Sequence, residues 1–243
     1  MSERKDLKIL LLQIRDNQNV RVEEHLSFAN FSKLELHQIE VLNVFDTPSF
    51  KPNQIDNYDA LYVGGASEAN VLEPDKYPFV KNCIKQLRYA AEISKPTFAS
   101  CFGFQLAVLA FGGIILNKDK DYEMGTVKIS LTDKAKSDLI YQGIQDQFPA
   151  VSVHRQYASV IPEPLEKLAY TGQCVHSFKY KNKPLWAFQF HPEVDRDTLV
   201  KRLTIFSRHY TDNPEHLKKV LDSAVETPES NILLGNFVER VLL

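Results

Sequence analysis

Pro96-Thr97-Phe98-Ala99-Ser100-Cys101-Phe102-Gly103-Phe104-Gln105-Leu106 is the stretch from which the rest of this chain is read. Its first half is a short run of small and apolar residues, the pattern of a buried strand. Its second half runs into Leu106, Val108, Leu109 and Phe111 at helical spacing and stops at Gly112-Gly113, a C-terminal signal. Cys101 therefore falls on a strand-to-helix turn. Such an elbow is sharp and needs small residues two positions before and after its apex, which Ala99 and Gly103 supply. A cysteine at that apex sits at a helix N-terminus, where the dipole favours a thiolate. The backbone N–H of Phe102 points at the same place and is a candidate oxyanion donor. A lone cysteine is more commonly a buried structural residue. Cys83 on a helical stripe and Cys174 in an alternating strand are read that way, and the turn sets Cys101 apart.

Working outward, residues 8–14 form an apolar run predicted as a buried first strand, and residues 35–44 alternate loosely as a second. Residues 60–63 run into Gly64-Gly65, so a third strand ends at a glycine turn. Apolar residues at 79, 80, 83, 84, 87, 90 and 91 predict a helix over 77–93, with Pro78 near its start. Beyond Gly125 the texture becomes strand-rich: residues 127–131, 174–180 and 185–190 alternate, and Lys181-Asn182-Lys183 reads as a hairpin turn. Helices are predicted over about 197–209, 214–223 and 228–242. In the last, Thr227 is the N-cap, Pro228 the first helical residue, and Ile232, Leu233, Phe237, Val238 and Val241 the buried stripe. Early strand–helix alternation implies a parallel sheet with helices on both faces, and the later strands an antiparallel extension.

Gln189-Phe190-His191-Pro192-Glu193 follows a predicted strand, ninety positions after Cys101. A cysteine nucleophile needs an imidazole to hold the thiolate and protonate the leaving amine. The imidazole in turn needs a third group to fix its tautomer, and Glu193 stands two residues on across a stiff proline. Either fragment alone is better read as a structural cysteine or a surface turn; the two together point to a Cys101–His191–Glu193 site.

Composition bounds the rest. The 243 residues are 44% hydrophobic and 25% charged with a net charge of −2, which suits one α/β domain and gives no basic groove for nucleic acid and no membrane-binding face. No stretch has the pattern of a signal peptide or the ~20 apolar residues of a membrane span. Three cysteines without a pairing motif fit a reducing compartment, so a cytoplasmic location is expected. Cys174 and His176 share a strand face, but no second pair at zinc-finger spacing exists, so they are read as strand core and no metal is expected. The 118–121 run is read as a solvated loop, and His25, His37, His209 and His216 as surface or packing residues. No dinucleotide fingerprint follows the first strand, and no cofactor is expected.

These motifs resemble the class I glutamine amidotransferases, whose nucleophile motif G-x-C-x-G-x-Q corresponds to Ala99-Ser-Cys101-Phe-Gly103-Phe-Gln105 and whose H-P-E corresponds to His191-Pro192-Glu193. Gly64-Gly65 matches the family's glycine turn. Within the family the chain is similar to free-standing proteins near the amidotransferase part of GMP synthase and the plant γ-glutamyl peptidases, through Glu123-Met-Gly-Thr-Val127, Val153-His154-Arg155-Gln156 and Cys174-Val-His-Ser-Phe178. The resemblance implies a flavodoxin-like, open, mainly parallel sheet with a small antiparallel extension. It implies a single domain over 1–243, with a core of about 7–205 and a helical extension at 206–243. It also implies that Cys101 forms a γ-glutamyl thioester, His191 is the base oriented by Glu193, Gly65 and Phe102 form the oxyanion hole, and Gln105 and His154 lie at the substrate. The implied substrate is a γ-glutamyl compound such as glutamine, and the implied partner is a separate synthetase subunit. A stand-alone γ-glutamyl peptidase and a non-catalytic module on the same fold are the alternatives. Departures from the family pattern are Ala99 for its first glycine, Val153 and Gln156 for the Ser and Asp of S-H-R-D, and Phe104 where relatives carry His; Phe104 is read as packing.

Overall fold

The computed structural model describes residues 3–206 and 214–243. Its centre is a nine-stranded sheet in the order β2-β1-β3-β4-β11-β10-β9-β6-β7, with a small second sheet of β5 (Leu116–Asn117) and β8 (Gln156–Tyr157). The first five strands in this order, β2 (Ile39–Asn43), β1 (Ile9–Gln13), β3 (Ala60–Val63), β4 (Thr97–Ser100) and β11 (Leu185–Phe188), all pair in parallel. That is the doubly wound order of flavodoxin-like folds, which place their sites at the carboxyl ends of the central strands. β4 is central, between β3 and β11, and its carboxyl end leads directly into Cys101.

The strands can be apolar throughout because both faces are covered. Leu10 and Leu12 of β1 point to one side, against Val80, Cys83 and Leu87 of α2 (Phe79–Glu92) and Phe104 and Leu106 of α3 (Phe102–Ala110). Ile9 and Leu11 point to the other, against Phe28 of α1 (Gln18–Ser32) and Leu233, Leu234 and Phe237 near the C-terminus. Phe104 packs against Phe178 with ring centroids 5.2 Å apart, in line with its reading as a packing residue.

The antiparallel half comprises β10 (Val175–Tyr180), β9 (Leu165–Tyr170), β6 (Glu123–Leu131) and β7 (Gln147–His154). The β10–β11 hairpin turns at Asn182, whose φ of 61° suits asparagine. β6 pairs with β7 along its whole length, from Glu123↔His154 to Ser130↔Gln147. Its register with β9 is confined to Ser130↔Tyr170 and Leu131↔Ala169, so β6 and β9 part towards Glu123. A short helix α4 (Asp133–Lys136) follows β6, α5 (Arg196–Ile205) follows β11, and α6 (Pro214–Ser223) and α7 (Pro228–Phe237) close the chain.

Several elements differ from the sequence reading. α1 has no apolar stripe, because its buried face includes Glu24, Ser27 and Ser32 beside Val20, Phe28 and Ala29. Residues 35–38 are not strand: a 3-10 turn over Leu36–Gln38 precedes β2. In α7 the stripe is rotated; Ile232 is half exposed, and Leu234 takes its place in the core beside Leu233 and Phe237. Phe237 contacts Tyr62, Phe98 and Trp186, so the tail packs into the central core. The end of the helix expected over 197–209, with His209, lies outside the described residues. Among the described residues no helix is long and apolar enough to cross a membrane.

Candidate active site

β4 delivers Cys101 at φ 50° and ψ −100°, a strained backbone for any residue with a Cβ. The strain is held by backbone bonds on both sides. The Cys101 N–H donates to Phe188 O at 2.7 Å, and Cys101 O accepts from the Gln105 N–H at 3.1 Å. Gly103 is required because a Cβ there would lie 2.7 Å from Val63 O, so only glycine lets α3 close against β3. Ala99 keeps its methyl fully buried in the core, so the departure from glycine leaves the elbow intact.

His191 arrives from the other neighbour of β4. It follows β11, and its N–H donates to Val151 O at 2.8 Å. Its Nδ1 lies 2.6 Å from Glu193 Oε1, with both side chains buried. The bend between them is fixed from behind: Asn231 of α7 donates its Nδ2 to Pro192 O at 2.8 Å and to Val194 O at 2.9 Å. Cys101 and His191 flank one point beside Gly65. A Cβ on Gly65 would stand 2.8 Å from His191 Cε1 and 3.5 Å from Cys101 Cβ.

Burial opposes a charge on His191, but the facing negative charge on Cys101 and that of Glu193 outweigh it and push the imidazole up to about 9. Burial works to raise Glu193, but the His191 imidazole beside it, with help from Arg202, holds its carboxyl below the usual range. The arrangement thus sets a buried imidazole, held in its charged form and oriented by a carboxylate, beside the Cys101 thiol.

Two residues that the sequence did not flag complete the setting. Arg15 follows β1 and pairs with Glu24 of α1, Nε to Oε1 at 2.8 Å, with both side chains essentially inaccessible. Burial raises the Glu24 carboxyl despite the guanidinium beside it. The pair packs directly on the double glycine. A Cβ on Gly64 would meet Glu24 Oε1 at 2.9 Å, and one on Gly65 would meet Arg15 Nη2 at 2.8 Å. Arg15 Nη1 also donates to Ser67 Oγ at 3.0 Å, which fixes the loop after Gly65. The only available signal was position, since Arg15 stands at the carboxyl end of a parallel strand.

Of the residues expected at the site, Cys101, His191, Glu193 and Gly65 come together, and Phe102 opens α3 beside them. Gln105 is buried one turn later and donates Nε2 to Gln156 O at 3.0 Å. His154 lines the wall of a groove of about 450 Å³ that begins at Ser67 and includes Glu68, Asp119, Arg155 and Gln156. Its imidazole, however, is engaged by Glu123, with Nε2 to Oε2 at 3.1 Å.

The profile of the family described as glutamine amidotransferase class-I matches residues 27–205, well over half of the chain. The chain belongs to this family. Among curated relatives, a subunit of glutamine-hydrolysing GMP synthase from Methanococcus maripaludis is 38% identical over 111 residues, covering 44% of this chain and 57% of that one. The corresponding subunit of Methanocaldococcus jannaschii is 32% identical over 116 residues, covering 47% and 57%. The match thus spans little more than half the length of these relatives. Among solved structures, a glutamine amidotransferase from Thermotoga maritima superposes with a TM-score of 0.75 at 15% identity, covering 97% of this chain and 98% of that one. A glutamine amidotransferase from Methylobacillus flagellatus gives 0.66 at 18% identity, covering 98% and 92%. These two likenesses speak for the fold.

Proposed function

We propose that this class I glutamine amidotransferase family member hydrolyses a γ-glutamyl amide, with glutamine as the first substrate to test, through a thioester on Cys101. The observation that carries this reading is the strained Cys101 elbow facing a buried His191 whose Nδ1 is 2.6 Å from Glu193. The thiolate attacks the γ-carbonyl carbon, and the C=O electron pair moves onto oxygen. The backbone N–H groups of Gly65 and Phe102 stabilise that oxyanion. His191 gives its proton to the leaving nitrogen as the C–N bond breaks, and ammonia or an amine departs. His191, now neutral, takes a proton from water, whose oxygen attacks the thioester and releases the γ-carboxylate and Cys101. Glu193 holds the imidazole tautomer throughout. The groove beside Ser67 carries side chains of both signs, a fit for the α-amino and α-carboxylate groups of a glutamyl substrate. The curated relatives are named as single subunits of a GMP synthase, which favours ammonia transfer to a partner protein over free hydrolysis.

The test is reaction with the glutamine-mimicking electrophile 6-diazo-5-oxo-norleucine, followed by intact mass, alongside turnover of glutamine and of γ-glutamyl peptides. One adduct on Cys101, absent from folded Cys101→Ala, is expected. Turnover of peptides in preference to glutamine would make the chain a γ-glutamyl peptidase. No adduct, with iodoacetamide still reaching Cys101, would sink the γ-glutamyl reading.

A further inference from the structure

The antiparallel half holds a second cluster of reactive side chains, separate from Cys101. Glu123, His154, Cys174 and His176 are all buried, and one potential ligand atom from each lies within 4.8 Å of every other. Glu123 Oε2 is 2.6 Å from His176 Nε2, 3.1 Å from His154 Nε2 and 3.8 Å from Cys174 Sγ. On sequence alone, Cys174 and His176 read as strand core lacking further ligands. The fold supplies the missing two, because Glu123 and His154 are register partners at the ends of β6 and β7, where β6 has parted from β9.

One thiol, two imidazoles and one carboxylate form a mixed donor set that zinc takes in tetrahedral sites. With metal–ligand bonds of about 2.0–2.3 Å, tetrahedral donors stand roughly 3.3–3.8 Å apart, so these side chains reach that geometry with shifts of about 1 Å or less. As a purely hydrogen-bonded group the cluster is overcrowded: three donors converge on one carboxylate oxygen, which offers two lone pairs. An ion among the four exchanges that crowding for four bonds. A cavity of about 280 Å³, lined by Lys118, Tyr122 and Gln173 among others, opens onto Glu123, His154 and Cys174 and gives an ion a way in.

We propose that Glu123, His154, Cys174 and His176 form a structural zinc site that ties together the ends of β6, β7 and β10 behind the substrate groove. On binding, the Cys174 thiol loses its proton to solvent as the sulfur–zinc bond forms, and each imidazole carries its proton on Nδ1 instead of Nε2, which frees the Nε2 lone pair for the ion. The site acts on the groove through β7 and the residues after it. His154, Arg155 and Gln156 line that groove, and Gln156 O receives the Gln105 hydrogen bond one helical turn from Cys101. An ion that fixes His154 therefore fixes the groove wall.

The experiment measures metal in the untagged, full-length chain purified without chelator, and then after chelation and reloading with zinc or cobalt. About one zinc per chain is expected in the wild type and in Cys101→Ser, and its loss in Cys174→Ser and His176→Gln. Cobalt loading is expected to give a thiolate-to-cobalt charge-transfer band that survives Cys101→Ser and vanishes in Cys174→Ser. Metal content is read without turnover, so the result stands apart from the fate of the γ-glutamyl reading. If the cluster variants do not fold, the cobalt spectrum of Cys101→Ser alone decides. The proposal is overturned if that protein takes up no zinc or cobalt, or if binding depends on Cys101 and survives loss of Cys174 and His176.

Discussion

Gly65→Ala puts one methyl group at the point where His191, Cys101 and the buried Arg15 meet. The new Cβ would stand 2.8 Å from both His191 Cε1 and Arg15 Nη2, where carbon atoms rest at about 3.5–4.0 Å. About 0.7–1.2 Å of movement is therefore needed, and neither neighbour yields cheaply. Arg15 is pinned by Glu24 and Ser67, and His191 by Glu193 and by its backbone bond to Val151. Overpacking of this kind costs about 1–3 kcal/mol of stability, which for a chain of this size lowers Tm by roughly 2–12 °C. Misplacement of catalytic groups by about 1 Å costs about 10²-fold in rate, and with the proposed roles of His191 and Cys101 it falls on kcat because both are displaced together. The assay is steady-state hydrolysis of the best γ-glutamyl substrate, with thermal denaturation of the same samples. Gly172→Ala is the control: a Cβ there meets nothing within 4 Å, so it is expected to leave both readouts unchanged. A folded Gly65→Ala protein with kcat within threefold of the wild type would refute the tight packing inferred for this point.

Glu193 is among the causes that raise His191 to about 9, so Glu193→Gln lowers the imidazole's titration. The stability that His191 gains from its charge is complete below the usual value of about 6.5 and is lost as pH rises through its folded value; in the variant the loss comes at lower pH. Tm measured from pH 6 to 10 reads this directly, and an unmoved basic limb would remove Glu193 as the cause. Turnover in the same variant is expected to fall by about 10²- to 10⁴-fold, since the tautomer is no longer fixed. Asn231→Ala deletes two buried hydrogen bonds to the His-Pro-Glu bend, with an expected loss of about 2–3 kcal/mol in urea denaturation and a lower kcat at unchanged KM. Phe237→Ala empties a fully buried aromatic position and is expected to cost about 3–5 kcal/mol; a loss under 1 kcal/mol would mean that α7 is dispensable to the core.

Both halves of the proposed triad were legible because each is a local signal, and the structure brings them together. The elbow is written in small residues at 99 and 103 around Cys101, and Glu193 stands two positions from His191, so neither needs the rest of the fold to be recognised. β1, β3 and β4 were legible because strands buried on both faces must be apolar throughout. α1 was missed for a physical reason: it buries Glu24 against Arg15 and Ser32 against the Tyr62 hydroxyl, so its inner face is partly polar and leaves no stripe to detect. The rotation of α7 shows the same limit. Ile232 and Leu234 are equally apolar, and packing against α1 and β7 selects Leu234.

By itself, the sequence determined the elbow, the His-Pro-Glu bend, the doubly wound first half and the family pattern, all of which follow from steric and hydrophobic constraints acting within a few residues. Only the tertiary structure decided what surrounds them. It placed the Arg15–Glu24 pair against Gly64 and Gly65, and brought Asn231 behind Pro192 from 39 positions away. It also carried His154 and His176 to Glu123 across 31 and 53 residues. Those contacts depend on strand register and on which helix covers which face, and no short stretch of chain specifies either.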